Sequence, residues 1–445
     1  MICCKNYKDR YENRVYVENE SRELCMSKLE ELLQELCPNG VKYMKVGDVC
    51  STITDYTAAG SFADIAKNVK YVNNELGVAQ LIRTTDLKSN FSKPDNFVYV
   101  DEYAFKYLWR VNLDSEGLVM PNVGNCGEVY YINTEIFPSK FNVLGPNAIW
   151  VKSDIALNRF LYHLFQCKEF QDKLVKIVSP VGQTKFNKTN FKELTIPVPP
   201  LPVQREIVRI LDNFTELTTE LTTELTARKK QYEYYRDELL KPQTDIPMVT
   251  LKEIATDIYR GSGIKRDQVT ENGIPCVRYG EIYTTYNTWF DKCVSHTQLE
   301  YVSSPKYFEH GDILFTITGE SVEDIAKSVA YVGNEKCLAG GDIVVLKHNQ
   351  NPRYLAHVLA TKSARDQKSK GKVKSKVVHS NVPSIEQITI PLPPLDIQNH
   401  YADILDNFEN ICTNLDIGLP AEIEARQKQY EYYRDKLLTF KEKTS

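Results

Sequence analysis

The chain has 445 residues, 42% apolar and 26% charged, proportions ordinary for a globular protein of two or three domains. A net charge of −4 excludes a uniformly basic coat but leaves room for a local basic face. No run of 18 apolar residues predicts a membrane span, no signal-peptide pattern opens the chain, and eleven cysteines without a CxxC pair fit reduced thiols in a cytoplasmic protein rather than a disulfide framework or zinc site.

Residues 1–25 are polar and aperiodic and read as a disordered extension or an upstream start. From Met26 the pattern turns helical, with Ser27 as cap and Leu29, Leu32, Leu33 and Leu36 on one face. A first α/β module follows, to residue 195. IPVPPLP (196–202) cannot continue a helix or sit in a central strand and marks a rigid joint. Beyond it a helix is predicted over 203–240, about 57 Å long at about 1.5 Å per residue. Its apolar seam runs through Ile207, Ile210, Phe214, Leu217, Leu221, Leu225, Tyr232, Tyr235 and Leu239, close to heptad spacing, with Arg228 filling one step. A second α/β module occupies 241–389, and IPLPPL (390–395) is the second joint. The last segment, to 445, repeats the seam at Tyr401, Ile404, Phe408, Ile411 and Leu415, then at Leu419, Ile423, Arg426, Tyr430, Tyr433 and Leu437. Gly418 and Pro420 predict a break near 417–420, with Pro420 in the first turn of a new helix.

These elements are two copies of one plan. ELTIPVPPLPVQREIVRILDNF (193–214) aligns with QITIPLPPLDIQNHYADILDNF (387–408) at an offset of 194, as does NRFLYHLF (158–165) with PRYLAHVL (352–359). The heptapeptide QYEYYRD occurs at 231–237 and at 429–435, where the offset has grown to 198. Four extra residues are about one helical turn, so the seam stays on its face. Within the modules the match is loose: AQLIRTTDL (79–87) with IPCVRYGEI (274–282), and AIWVKS (148–153) with IVVLKH (343–348). A duplicated, pseudo-two-fold object is expected. Its two long helices bury their seams in an antiparallel coiled coil, and the alternative is that each helix packs on its own module.

Two unlike modules, each followed by IPxPPL…Q…I…LD and a coiled-coil helix, resemble the specificity subunit of type I restriction–modification enzymes. LPAEIEARQKQYEYYRDKLLTF (419–440) is similar to the ending of many such subunits, and MSKLEELLQELCPNG (26–40) to a common beginning. The resemblance implies target-recognition domains at 26–195 and 241–389, each reading half of a split sequence in double-stranded DNA. It implies helical spacers at 196–240 and 390–445 that set the distance between half-sites and hold two methyltransferase subunits, with motor–nuclease subunits joining for restriction. S-adenosylmethionine, ATP and Mg2+ are then expected in the partner subunits, and no catalysis in this chain. The motifs agree: there is no GxxxxGK[ST] loop, no Asn- or Asp-Pro-Pro-aromatic motif, and no metal-ligand spacing. His163 and His357 are repeat-equivalent in apolar helical stretches and read as structural.

Phosphate contact needs Lys and Arg. TKSARDQKSKGKVKSK (361–376) carries seven of them against one Asp. We expect contacts from Lys370, Lys372, Lys374 and Lys376, and from Lys185 and Lys188 at the corresponding place in the first module. Base reading needs donors and acceptors in the major groove. RTTDLKSN (83–90), VGNCGE (123–128), RYGEIYTTYN (278–287) and TGESVEDIAK (318–327) offer them, with Arg83, Lys88, Asn125, Arg278, Tyr279 and Lys327 the expected contacts. Two other readings are a self-sufficient DNA-binding regulator and a coiled-coil adaptor that binds no DNA.

Overall fold

Each proline joint begins as a strand at a sheet edge. In the computed structural model, which describes residues 27–179, 184–319, 321–322, 324–370, 378–414 and 418–443, Thr195–Pro197 pairs antiparallel with Tyr43–Lys45. Thr389–Pro391 pairs in the same way with Met248–Thr250. Both are two-stranded, so proline takes the place where a missing N–H costs least. Each pairing joins the first strand of a module to its last.

The chain forms two compact units, one comprising residues up to Thr219 together with those from Ala425, the other Glu220–Glu424. The helices that shape them are α1 (Asn158–Gln166), α2 (Leu201–Leu239), α3 (Pro352–Leu359), α4 (Lys362–Ser369), α5 (Leu395–Thr413) and α6 (Leu419–Leu437). α2 and α6 run through both units. The predicted break is present, with α5 ending at Thr413 and Pro420 second in α6.

The first unit holds two four-stranded sheets. One has the order Thr52–Asp55, Ala148–Lys152, Gly117–Pro121, Tyr130–Ile132; the other Tyr71–Val72, Val98–Val100, Ala79–Ile82, Asn142–Leu144. Successive side chains of a strand point to opposite faces. Leu118, Met120, Ile149 and Val151 therefore enter a core with α1, whereas Val119, Ala148 and Trp150 enter a separate core with the second sheet. The second unit repeats the device with two five-stranded sheets. Ile313, Phe315, Val344 and Leu346 face the helices, and Leu314, Ile343 and Val345 face the second sheet. Burial on both faces is why these strands read as unbroken apolar runs.

The heptapeptide closes each unit, and it does so on the other repeat's module. In the first unit Asp212 of α2 accepts from Arg159 Nε and from His163 Nε2, both at 2.8 Å, and His163 Nδ1 lies 3.0 Å from the Tyr430 hydroxyl of α6. In the second unit Asp406 of α5 is bonded by Arg353 and, at 2.7 Å, by His357 Nε2, and His357 Nδ1 lies 2.9 Å from Tyr232 of α2. Both histidines are fully buried. Burial drives the His163 pKa below its ordinary value, so the neutral ring donates from Nε2 to the carboxylate and accepts the tyrosine O–H at Nδ1. Burial alone would raise the Asp212 pKa, but its bonds to His163 and Arg159 prevail and hold it low.

The rest of the heptapeptide follows suit. Arg236 and Arg434 each lie 5.5 Å above the ring of their own tyrosine. Asp237 accepts from the Lys362 N–H that opens α4, at 3.1 Å, and Asp435 accepts from the equivalent Lys168 N–H, also at 3.1 Å. The glutamine of the proline joint is also bonded alike. Gln204 accepts from Leu157 N and donates to Pro199 O, and Gln398 accepts from Asn351 N and donates to Pro393 O. It pins the joint to the start of α1 or α3.

The seam holds, with a turn in phase along α5. Ile207, Ile210, Phe214, Leu221, Tyr232 and Tyr430 are buried, and Leu217, Phe408, Ile411 and Tyr433 half-buried. In the first unit Phe214 stacks on Tyr433 at 5.3 Å. In the second, Tyr232 and Tyr235 meet Phe408, while Cys412 sits beside Lys229 and Arg228, so α2 and α5 run antiparallel. Ile404 and Tyr235 keep 44% and 49% of their surface exposed, although Tyr235 still packs on Phe408. α5 also packs on α3, which turns Ala402, Leu405 and Asp406 inward instead. Leu415 lies outside the described residues, as do residues 1–26. Among the described residues no helix is long and apolar enough to cross a membrane.

One half-buried group should make the second unit acid-sensitive. His348 ends the strand Ile343–His348; its Nδ1 accepts from Gln350 N at 3.1 Å, and burial pushes its pKa down to about 4. The folded state therefore binds the proton less well than the unfolded state. The stability this neutral ring supplies is complete above about pH 6.5 and is lost as the pH falls toward about 4, on the order of 3 kcal/mol. Urea unfolding at pH 7 and pH 4.5 should show a smaller acid loss in His348→Asn than in the parent.

Candidate nucleic-acid interface

The two modules differ in sheet size but share one frame around an arginine. In the first, the parallel strands Ala79–Ile82 and Asn142–Leu144 end at Arg83, the N-cap of the helix Thr84–Lys88. In the second, Ile274–Val277 and Cys337–Ala339, also parallel, end at Arg278, the N-cap of Tyr279–Thr284. Arg83 Nε and Nη2 donate to Asp86 at 3.0 and 2.7 Å, and Arg278 Nε donates to Glu281 at 3.0 Å. Each carboxylate also accepts from the backbone N–H of its arginine, at 3.0 and 3.1 Å, as in a capping box. The acids are buried and the arginines about a third exposed. A glycine of the partner strand completes the frame. Gly145 N donates to Ile82 O at 2.7 Å and Gly340 N to Val277 O at 2.8 Å, and a side chain at either would collide with that carbonyl. Each module thus presents a pre-oriented guanidinium at the carboxyl ends of two parallel strands, where open sheets place ligands.

In the first unit Lys88, Asn125 and Lys185 come together. The exposed Lys88 amine lies 3.4 Å from Glu128, which also accepts from Asn125 Nδ2 at 3.0 Å. The loop carrying Asn125 turns at Gly124 and Gly127, whose φ values of +85° and +117° suit glycine, and pairs through Val123 with Lys185. The same pairing recurs in the second module between Thr318–Gly319 and Val378–His379. Lys188 stands apart, tied to Asp55 at 3.0 Å.

In the second unit Arg278 and the partly exposed Tyr279 line a cleft of about 820 Å3 with Arg260 and Arg266. These two arginines were missed in the sequence, although they flank the Gly261–Gly263 pair in YRGSGIKR. Gly261 lets the backbone run against Ala339 and Gly340, and Arg260 pairs with Asp342 at 2.7 Å. Lys327 is not in this cleft. It is half-buried, donates to Tyr283 O at 3.3 Å, and faces a second cavity beside α2 and α5. Lys370 is exposed at the end of α4; Lys372, Lys374 and Lys376 lie outside the described residues. Among the described residues His357, Asp406 and Glu409 place one ligand atom each within 4.8 Å of the others. Tyr232 and Asp406 already engage both ring nitrogens of His357.

Comparison with known proteins agrees with this architecture. The chain matches the family described as Type I restriction modification DNA specificity domain twice, over residues 38–229 and 244–425. It is 32% identical over 295 residues to a type I restriction enzyme specificity subunit of Haemophilus influenzae, across 64% of this chain and 72% of that one. It is 31% identical over 263 residues to the EcoR124I/EcoR124II specificity subunit of Escherichia coli, across 57% of this chain and 65% of that one. A chain solved in work on assembly and conformational transition of the type I R-M system shares the fold, with TM-score 0.59 at 16% identity, over 90% of this chain and 98% of that one. The chain belongs to the type I restriction–modification specificity family. It is a DNA-recognition and scaffold subunit, non-catalytic itself, of a type I complex.

The capping carboxylates hold the candidate reading arginines in place. Asp86→Asn and Glu281→Gln keep the shape and remove the charge, and each is expected to cost about 1–3 kcal/mol in urea unfolding.

Proposed function

We propose that the modules at 26–195 and 241–389 each read one half of a bipartite site in double-stranded DNA. Lys88, Asn125 and Lys185 work with Arg83 on one half, and Arg278 and Tyr279 with Arg260 and Arg266 on the other. The observation that carries this reading is the repeated arginine frame, which differently shaped loops surround in the two modules. The frame holds a guanidinium whose remaining N–H donors suit guanine or phosphate, and the unlike loops supply two specificities.

The spacers at 196–240 and 390–445 hold the modules at a set distance. α2 has 39 residues, about 58 Å at the usual rise, against about 34–36 Å per turn of DNA. Two methyltransferase subunits dock on the outward face of the spacers, where Tyr234 and Tyr432 are 63% and 62% exposed; motor–nuclease subunits join that assembly. S-adenosylmethionine, ATP and Mg2+ are held by those partners.

Mapping methylated adenines genome-wide in cells carrying single-module variants tests the proposal. Lys88→Ala with Asn125→Ala should relax one half of the motif, and Arg278→Gln only the other. Relaxation of both halves by either variant would refute the division of labour.

A further inference from the structure

The second unit contains a cavity of about 290 Å3 that the reading of DNA does not use. Five cations line it, Lys229, Arg236, Lys327, Arg365 and Lys368, against three carboxyls, Glu233, Asp324 and Glu409. Arg236 is held by Asp237, and Glu409 accepts from the Thr288 hydroxyl while burial raises its pKa. Lys327, Arg365 and Lys368 have no carboxylate in salt-bridge range among the described residues. Lys327 donates to Tyr283 O, and Lys368 donates to Ser328 Oγ at 3.1 Å and Leu359 O at 2.8 Å. Lys368 keeps only 6% of its surface. Burial, then the Arg365 charge, pushes its amine pKa down to about 7. Burial and the same arginine also lower Lys327, against the opposing pull of Asp324.

Crowded cations without a counter-charge are costly, and the fold does not require them. At an offset of 194 the first unit has Leu174 for Lys368, Gln171 for Arg365 and Thr215 for Glu409. Leu174 is ordinary core there, and Gln171 bonds to backbone carbonyls. The second unit has replaced a core leucine by a buried amine that points into a cavity. We propose that this cavity binds a phosphate-type oxyanion between Lys327, Arg365 and Lys368, with the Ser328 hydroxyl as a further donor. The phosphate belongs either to a free small molecule or to a DNA backbone. The site stands whether or not the proposed half-site reading does.

Thermal unfolding of the full chain in inorganic phosphate, against chloride at equal ionic strength, tests the site. Phosphate at ten times its Kd should raise the midpoint of the second unit by about 3–6 °C. Arg365→Gln, an exposed substitution, should abolish most of this rise. Lys368→Met should abolish it while leaving the midpoint in chloride unchanged or higher, because it removes an unpaired buried charge. Arg266→Gln, in the other cleft, should retain the rise.

DNA binding distinguishes the source. If the phosphate is a backbone phosphate, Arg365→Gln lowers the slope of log Kobs against log salt by about 1. If it is free, that slope is unchanged and the stabilisation appears without DNA. No phosphate-specific rise together with an unchanged slope, or a rise that survives both Arg365→Gln and Lys368→Met, overturns the proposal.

Discussion

A buried histidine held between a carboxylate and a tyrosine, made once in each unit, is the contact on which the architecture turns. Each member comes from a different element. In the first unit these are α1, α2 and α6, and in the second α3, α5 and α2. All three must be in register for both ring nitrogens to be satisfied, and a buried ring with an orphaned nitrogen loses far more than a surface contact would. The tyrosine always comes from the other repeat. A duplicated heptapeptide is therefore a pair of exchanged closures, and its arginine and aspartate serve the same junction.

That junction explains why the modules can diverge while their ends do not. The core facing α1 or α3 must match the tyrosine, the glutamine of the proline joint and the LDNF carboxylate. The core behind the sheet has no such obligation. Alternation along the central strands separates the two cores residue by residue, so side chains of the outer core can change without altering those that face the helices. The arginine frame lies at the far ends of parallel strands, attached to the free side of this partition. Variation there changes what is read while the frame that orients the guanidinium stays.

Much of this was legible in the sequence because identity was concentrated where packing is strict. The offsets of 194 and 198, the proline joints and the break at Pro420 located the helices and their equivalence. Equivalence does not name a partner, so the exchange of Tyr232 and Tyr430 could not be read from it. The seam went out of phase at Ile404 because a heptad assumes one neighbour, and α5 has two. Arg83 and Arg278 were legible as donors at the heads of the loops RTTDLKSN and RYGEIYTTYN. The carboxylates that orient them stood three residues on in plain view, but nothing local said they were buried. Lys327 looked like a loop cation; only the fold brings it under α2 and α5 with Arg365 and Lys368. Arg260 and Arg266 were passed over because a lone glycine pair is a weak motif, and its use here is a close approach of backbones.

Hydrogen exchange in two single variants of the full chain measures the exchanged closure most directly. Tyr430→Phe should speed amide exchange about fivefold in residues 158–177 of the first module and leave 352–369 unchanged, with Tyr232→Phe doing the reverse. If Tyr430→Phe instead loosens 352–369, the heptapeptide closes the module of its own repeat and the account is wrong.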